Sequence, residues 1–422
     1  MSGLYFDDSE TIPERVRQRL QQEKLKETMI RSFEYSVTCR ELFEKAGLKP
    51  GDISSVSDLR LLPVTRKNDI IELEKQLPYA GFLTVDLGDI NRVFITPGPI
   101  YEPLHTESID WFARSFWAAG FRKGDIVANT FSYHLSPGGL LFHESLRRCG
   151  STVVPVGVGN SDILIRALLD VKINSFVGTP SYLKSVIDKA EQAGFIHGRD
   201  FFIRRAWFTG EMLSHSLRTV LEDRYGIDTY QAYAVSEVGG AVAYECHEKS
   251  GFHLMDEYIV EIIDSETGAP CAIGESGEIV VTPLHNSTWA LFRFGTGDIS
   301  AVVTERCPCG RTSLKLIGVL GRVGDAVKVR GLFLVGKQLE SIIRGFEEIK
   351  YFQARIQRPI QRDEFIIRLE LKSGIVSCEK LKQQVSEKIQ EQCRLKPDEI
   401  EVVDSGTLAA GSPLIQDTRQ WK

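Results

Sequence analysis

The stretch Gln231-Ala-Tyr-Ala-Val-Ser-Glu-Val-Gly-Gly240 closes an apolar run and turns at once into a serine, a carboxylate and two glycines. The run leading into it, 228–233, has the length and the buried character of a strand, and the glycines mark where such a strand must end. Outward from it, apolar β-rich runs alternate with helical stretches from about residue 125 to 283. Strands are expected at 126–130, 152–156, 175–178, 203–208 and 228–233, with helices at 181–193 and 214–225 between them. This alternation is the signature of βαβ units and an open, mostly parallel sheet. In such sheets ligands bind beyond the carboxyl ends of the strands, and residues 233–237 fall just there.

The flanks differ. At the N-terminus Thr11 and Glu14 have capping-box spacing around Pro13, and Val16, Leu20, Leu25, Met29 and Phe33 recur at close to helical spacing. This predicts an amphipathic packing helix. Runs 258–263 and 278–282 predict an antiparallel unit. Beyond Gly321 a strand at 364–372, a helix at 378–393 with Leu381, Val385 and Ile389 on one face, and a strand at 399–403 suggest a second, α+β region. A chain of 422 residues exceeds one ordinary core, so two domains are expected, 1–320 and 321–422.

The net charge of −6 argues against a broad basic surface for nucleic acid. No apolar run approaches the ~20 residues a bilayer span needs. The first residues lack a basic segment followed by an apolar core, which predicts no signal peptide and a cytoplasmic protein. In that compartment the 8 cysteines are expected as reduced thiols or metal ligands rather than a disulfide framework.

Further segments stand in order along the chain: Leu62-Pro-Val-Thr-Arg-Lys67, Tyr133-His-Leu-Ser-Pro-Gly-Gly139, Gly178-Thr-Pro-Ser-Tyr182, Phe292-Arg-Phe-Gly-Thr-Gly-Asp298, Cys307-Pro-Cys-Gly-Arg311 and Gly321-Arg-Val-Gly-Asp325. Together with 231–240 they resemble the phenylacetate–CoA ligase branch of the adenylate-forming superfamily, over nearly the whole chain. The resemblance implies an acyl-CoA synthetase fold: a large N-terminal α/β AMP-binding domain and a small mobile α+β C-terminal domain. It implies a two-step reaction in which a carboxylic acid, aryl or arylacetic by the family, becomes an acyl-adenylate at the expense of ATP. Coenzyme A then displaces AMP. A homodimer is the assembly to consider.

Carried over residue by residue, Glu237 would hold Mg²⁺, a hard cation suited to carboxylate oxygen. Tyr233 and Ser236 would line the adenine side, with Ala234 and Val235 in place of the family's Gly and Leu. Asp298 would accept both ribose hydroxyls. Gly210 and Glu211, just after the 203–208 strand, belong to the same nucleotide side. Arg322 resembles the hinge-side arginine that contacts ribose or phosphate, and Asp325 lies near that hinge. Tyr133, Tyr182 and Trp207, with Phe131 and Phe208, are the candidate walls of an aromatic acyl pocket. Some family members carry zinc beside the adenylate site. Here Cys246, His253, Cys307 and Cys309 would supply a structural Cys₃His set, with His247 as the rival fourth ligand.

Two places break the pattern. The family's phosphate loop reads Ser-Ser-Gly-Thr-Thr-Gly-Lys-Pro, and the matching stretch is Thr96-Pro-Gly-Pro-Ile-Tyr-Glu-Pro103. Gly98 and Pro103 match. Pro97 and Pro99 lack an N–H, Tyr101 replaces a glycine, and Glu102 replaces the lysine. At ~4 Å and an effective dielectric near 20, a carboxylate and a phosphate charge would repel by about 4 kcal/mol, unless Glu102 points away or a cation compensates. A rigid structural turn is expected. Near the C-terminus the family's catalytic lysine would fall near Gly411, where no lysine stands; Arg419 and Lys422 are the nearest substitutes, both out of register. Three readings stay open: a ligase with an unusual phosphate grip, a partial enzyme that takes a preformed acyl-adenylate, and a binder of AMP-like or acyl ligands.

Overall fold

The computed structural model describes residues 3–96, 99–104, 110–265, 267–275, 277–319, 321–323, 326–330, 332–375, 379–393, 395–409 and 412–419. Expectations placed on Pro97, Gly98, Asp325, Gly411 and Lys422 lie outside these residues. The chain divides into two compact units, Met1–Gly321 and Arg322–Lys422.

The first unit is built on a nine-stranded sheet. Five neighbouring strands run parallel: Thr152–Pro155, Ile126–Asn129, Ser175–Gly178, Arg205–Phe208 and Asp228–Val235. These are the five that the apolar runs predict. Successive residues point to opposite faces of a strand, and the packing follows. Val127, Val177 and Trp207 join one core with Phe112, Phe116 and Phe142. Ala128, Phe176, Ala206 and Phe208 join the other with the helices Ser161–Asp170 and Pro180–Gln192. The helix expected at 214–225 is Ser214-capped and α-helical only over His215–Thr219, then widens into a π turn over Val220–Arg224.

The sheet is not parallel throughout. Asp228–Val235 folds straight back into the antiparallel Gly240–Glu245, and Phe252–Leu254, Lys315–Leu316 and Val302–Val303 continue that side. The reversal is possible because Gly239 and Gly240 hold φ of 84° and 150°, where side chains are disfavoured. At Gly240 a Cβ would also lie 1.7 Å from the Phe112 ring. Gly240→Ala is therefore expected to cost on the order of 3 kcal/mol through overpacking and backbone strain, read as a lower urea midpoint; an unchanged midpoint would contradict this packing.

A second sheet carries Tyr258–Ile263, Gly277–Pro283 and Phe294–Ser300 antiparallel, with the short Thr65–Arg66 parallel to the last. The register Thr65↔Phe294 and Arg66↔Gly295 sets Lys67, the next residue, beside the strand that bears Asp298.

The N-terminal helix runs over Glu14–Tyr35, but Thr11 does not cap it. Thr11 ends a preceding 3₁₀ turn, and Pro13 stands at the cap position without a side-chain bond. Leu25 and Met29 are buried as expected, whereas Val16 and Leu20 are exposed. The rotation has a polar cause: the buried Arg17 guanidinium bonds Asp256, the Ser9 carbonyl and the Thr312 hydroxyl, and draws its own face inward.

In the second unit a four-stranded sheet orders Glu399–Val403, Glu364–Leu371, Ile349–Gln357 and Ile415–Asp417. The helix Glu379–Cys393 buries Leu381, Val385 and Ile389 in the core of this unit. No helix among the described residues is long and apolar enough to cross a membrane.

Candidate functional site

Two of the motif residues meet directly. Tyr233, buried near the end of Asp228–Val235, donates its hydroxyl to Asp298 Oδ2 at 2.8 Å. Asp298 lies in a strand of the other sheet rather than in a turn, half-buried, and its N–H donates to Thr296 Oγ1. The end of the parallel sheet is thus tied to the second sheet by a phenol–carboxylate bond between residues 65 apart in the chain.

Glu237 follows on the turn after Tyr233 and is 4% exposed. Burial alone would raise its pKa. The Lys67 ammonium, 2.7 Å from Oε1, outweighs this with help from the Ser236 hydroxyl at 3.1 Å from Oε2, so the carboxyl is held below its ordinary value and is ionised. Lys67 opens the helix Lys67–Glu74. Its role was not legible: it stands in the quoted 62–67 motif, but nothing in its local spacing points to a partner 170 residues away.

The altered phosphate loop is not a rigid turn alone. Arg92–Thr96 and Ile100–Leu104 form an antiparallel hairpin with Phe94 opposite Glu102. Glu102 points inward, 4% exposed, and accepts from Thr96 Oγ1 at 2.7 Å. Burial first, and then the Glu237 charge, push its pKa up to about 8, against the partial relief that Thr96 and Lys67 provide. At neutral pH it is a neutral acid, so the repulsion expected of a carboxylate there does not arise. Glu102, Phe94, Leu141, Ser236, Glu237 and Trp289 line a small cavity in common.

The remaining candidates separate. Gly210, with φ of 84°, lets the chain leave Arg205–Phe208, and half-buried Glu211 accepts from the Ser181 N–H at the start of Pro180–Gln192. Tyr133 bonds Asn129 Nδ2 at 2.9 Å and faces His143 Nδ1 at 3.1 Å, with its pKa pushed up to about 12 by burial. The Tyr182 hydroxyl is buried without a hydrogen-bond partner among the described residues. Trp207 and Phe208 are placed differently from the expectation of pocket walls. Both are 0% exposed, because they stand within a central strand: Trp207 against Phe116 and Phe142, Phe208 against Phe176 on the opposite face. Arg322, half-buried, belongs to the second unit. Arg419, also there, is committed to Asp363 at 3.0 Å and Asp417 at 2.6 Å with its side chain buried.

Cys246, His253, Cys307 and Cys309 converge, all buried, with their donor atoms within 4.8 Å of one another. Cys246 Sγ lies 3.6 Å from Cys307 Sγ, and Cys309 Sγ lies 3.4 Å from His253 Nε2. Four ligands around a tetrahedral zinc at ~2.3 Å from sulfur would stand about 3.8 Å apart, so the set fits that ion. His253 Nδ1 is 3.4 Å from Ser313 Oγ, which orients the ring. His247, the rival, is exposed and paired with Glu248.

A family model described as AMP-binding enzyme matches residues 104–285. The phenylacetate-coenzyme A ligase of Aromatoleum evansii is 32% identical over 335 residues, covering 77% of this chain and 74% of that protein. The enzyme of the same name from Thermus thermophilus is 28% identical over 380 residues, covering 87% and 84%. Among solved structures, 2-hydroxyisobutyryl-CoA ligase in complex with 2-HIB-AMP and CoA superposes with a TM-score of 0.91 at 22% identity, over 98% of this chain and 92% of that one, which shows a shared fold.

Proposed function

Since the chain belongs to the phenylacetate–coenzyme A ligase family of adenylate-forming enzymes, we propose that it activates a carboxylic acid with ATP as an acyl-adenylate and transfers the acyl group to coenzyme A. The observation that carries the reading is the Tyr233–Asp298 bond beside ionised Glu237. It leaves a half-buried carboxylate oriented by a phenol, which suits a pair of vicinal ribose hydroxyls. Tyr233, Ser236, Gly210 and Glu211 would border the nucleotide. Glu237 would hold Mg²⁺, sharing its oxygens with Lys67 and Ser236; the ion supplies charge neutralisation of the phosphates. The acid we infer is aromatic or arylacetic, with Tyr133 and Tyr182 as candidate polar-tipped walls. Cys246, His253, Cys307 and Cys309 would hold a structural zinc.

Pyrophosphate release with ATP, Mg²⁺ and a panel of arylacetic, benzoic and short hydroxy acids, with and without coenzyme A, tests the reaction and the acid together. Asp298→Asn is expected to lower kcat/KM for ATP by roughly 10- to 100-fold, because charge-assisted bonds to the ribose are lost while the Tyr233 bond can persist. An unchanged kcat/KM would remove Asp298 from the ribose.

A second reading is favoured by one observation: position 102 carries a glutamic acid and Arg419 is bound to two aspartates, so neither supplies a cation for phosphate. On this reading the chain performs only thioester formation, or binds without turnover. Coenzyme A-dependent AMP release from synthetic acyl-adenylates, without ATP-dependent pyrophosphate release, would select the partial enzyme. AMP binding with neither activity would select the binder.

A further inference from the structure

We propose that Lys67 is the cation that grips the outer phosphates of ATP in this protein, working from the start of a helix in place of a loop lysine. The inference rests on the ligase reading above and concerns the same site. Glu102 and Arg419 exclude two sources of positive charge for the reasons given. A lysine is delivered by a separate element. The strand Thr65–Arg66 is locked in parallel register to the strand that bears Asp298, and the chain enters the helix Lys67–Glu74 at the next residue.

The Lys67 side chain is only 16% exposed and reaches Glu237 Oε1 at 2.7 Å. It therefore stands against the carboxylate assigned to the metal, and its charge, like that of Glu237, is felt at Glu102. An ammonium carries three donors in a compact, rotatable head, so one such group can hold Glu237 and a phosphoryl oxygen together. Glu237 has a second task on this account: it fixes a flexible four-carbon side chain in place before the nucleotide arrives.

The step it serves balances without a proton. A carboxylate oxygen of the acid forms a bond to the α-phosphorus, the bond from that phosphorus to the bridging oxygen breaks, and pyrophosphate leaves with the electron pair. Negative charge accumulates on the leaving group, where a positioned ammonium is worth more than in the ground state.

Calorimetry with Mg-ATP and with AMP on the wild-type chain, Lys67→Met and Lys67→Arg tests this, together with the two half-reactions measured apart. Lys67→Met should weaken Mg-ATP by about 10- to 100-fold and AMP by no more than about twofold, since AMP lacks the outer phosphates. Pyrophosphate release should fall with it, while AMP release from a synthetic acyl-adenylate and coenzyme A is largely retained. Lys67→Arg should recover part of the ATP affinity. Retained AMP binding also certifies that the variants fold. Equal losses for ATP and AMP, or no loss for either, would overturn the assignment and leave Lys67 as a structural partner of Glu237. A wild-type chain that binds neither nucleotide would instead overturn the ligase reading, and the inference with it.

Discussion

Glu102→Gln is expected to stabilise the protein by on the order of 5 kcal/mol above pH 8 and by almost nothing near pH 4. An unfolded glutamate ionises near pH ~4.3, whereas in the fold burial and the neighbouring Glu237 charge push Glu102 up to about 8. Between those values the folded chain binds a proton that the unfolded chain has released. The stability contributed by neutral Glu102 is complete below the lower value and is lost as the pH rises through the upper one. Glutamine keeps the shape of the protonated acid and an oxygen for Thr96, and it does not titrate. Urea denaturation of both proteins from pH 4 to 9 should give curves that meet at the acid end, diverge from about pH 5 to about pH 8 and run parallel above that. Curves parallel throughout would place an ionised carboxylate at position 102. Glu237 works in the opposite sense: Lys67 holds it below its ordinary value despite burial, so its contribution is present above the unfolded value and is lost toward acid.

Loss of the zinc proposed for Cys246, His253, Cys307 and Cys309 should have a large structural effect. One zinc per chain is expected from elemental analysis of protein purified without chelator, and Cys309→Ser should abolish it. The four candidate ligands join the end of the strand Gly240–Glu245, the strand Phe252–Leu254 and the loop at 307–309, and the Cys309 carbonyl also accepts from the Tyr5 hydroxyl. Free energy of binding to a site that exists only in the fold is folding free energy, about 10 kcal/mol or more for structural zinc in small peptides. About 5 kcal/mol in a large domain corresponds to a melting temperature lower by roughly 10 °C or more. Chelator-treated wild type and Cys309→Ser should both show that drop. A metal-free wild type melting at the same temperature as the zinc-loaded protein would mean that the cluster is four packed, reduced side chains.

Much of the architecture was readable because it rests on local rules. Five parallel strands follow from apolar runs between turn signals, and the helix with Leu381, Val385 and Ile389 inward follows from helical period. Where a long-range polar contact competes with such a rule, the contact prevails. Arg17 turns the N-terminal helix away from Val16 and Leu20; Trp207 is a different case, buried by the central position of its strand and not by a polar contact.

From order and residue type alone came the family, the candidates Tyr233, Glu237 and Asp298, and the four cysteine and histidine side chains that converge, because motifs are linear and each side chain brings its own chemistry. Only the tertiary structure decided that Lys67 pairs with Glu237, that Glu102 is buried and neutral, and that Arg419 is bound to Asp363 and Asp417. The reason is physical: the charge state of a group depends on its desolvation and its nearest charges, and both are supplied by segments far away along the chain.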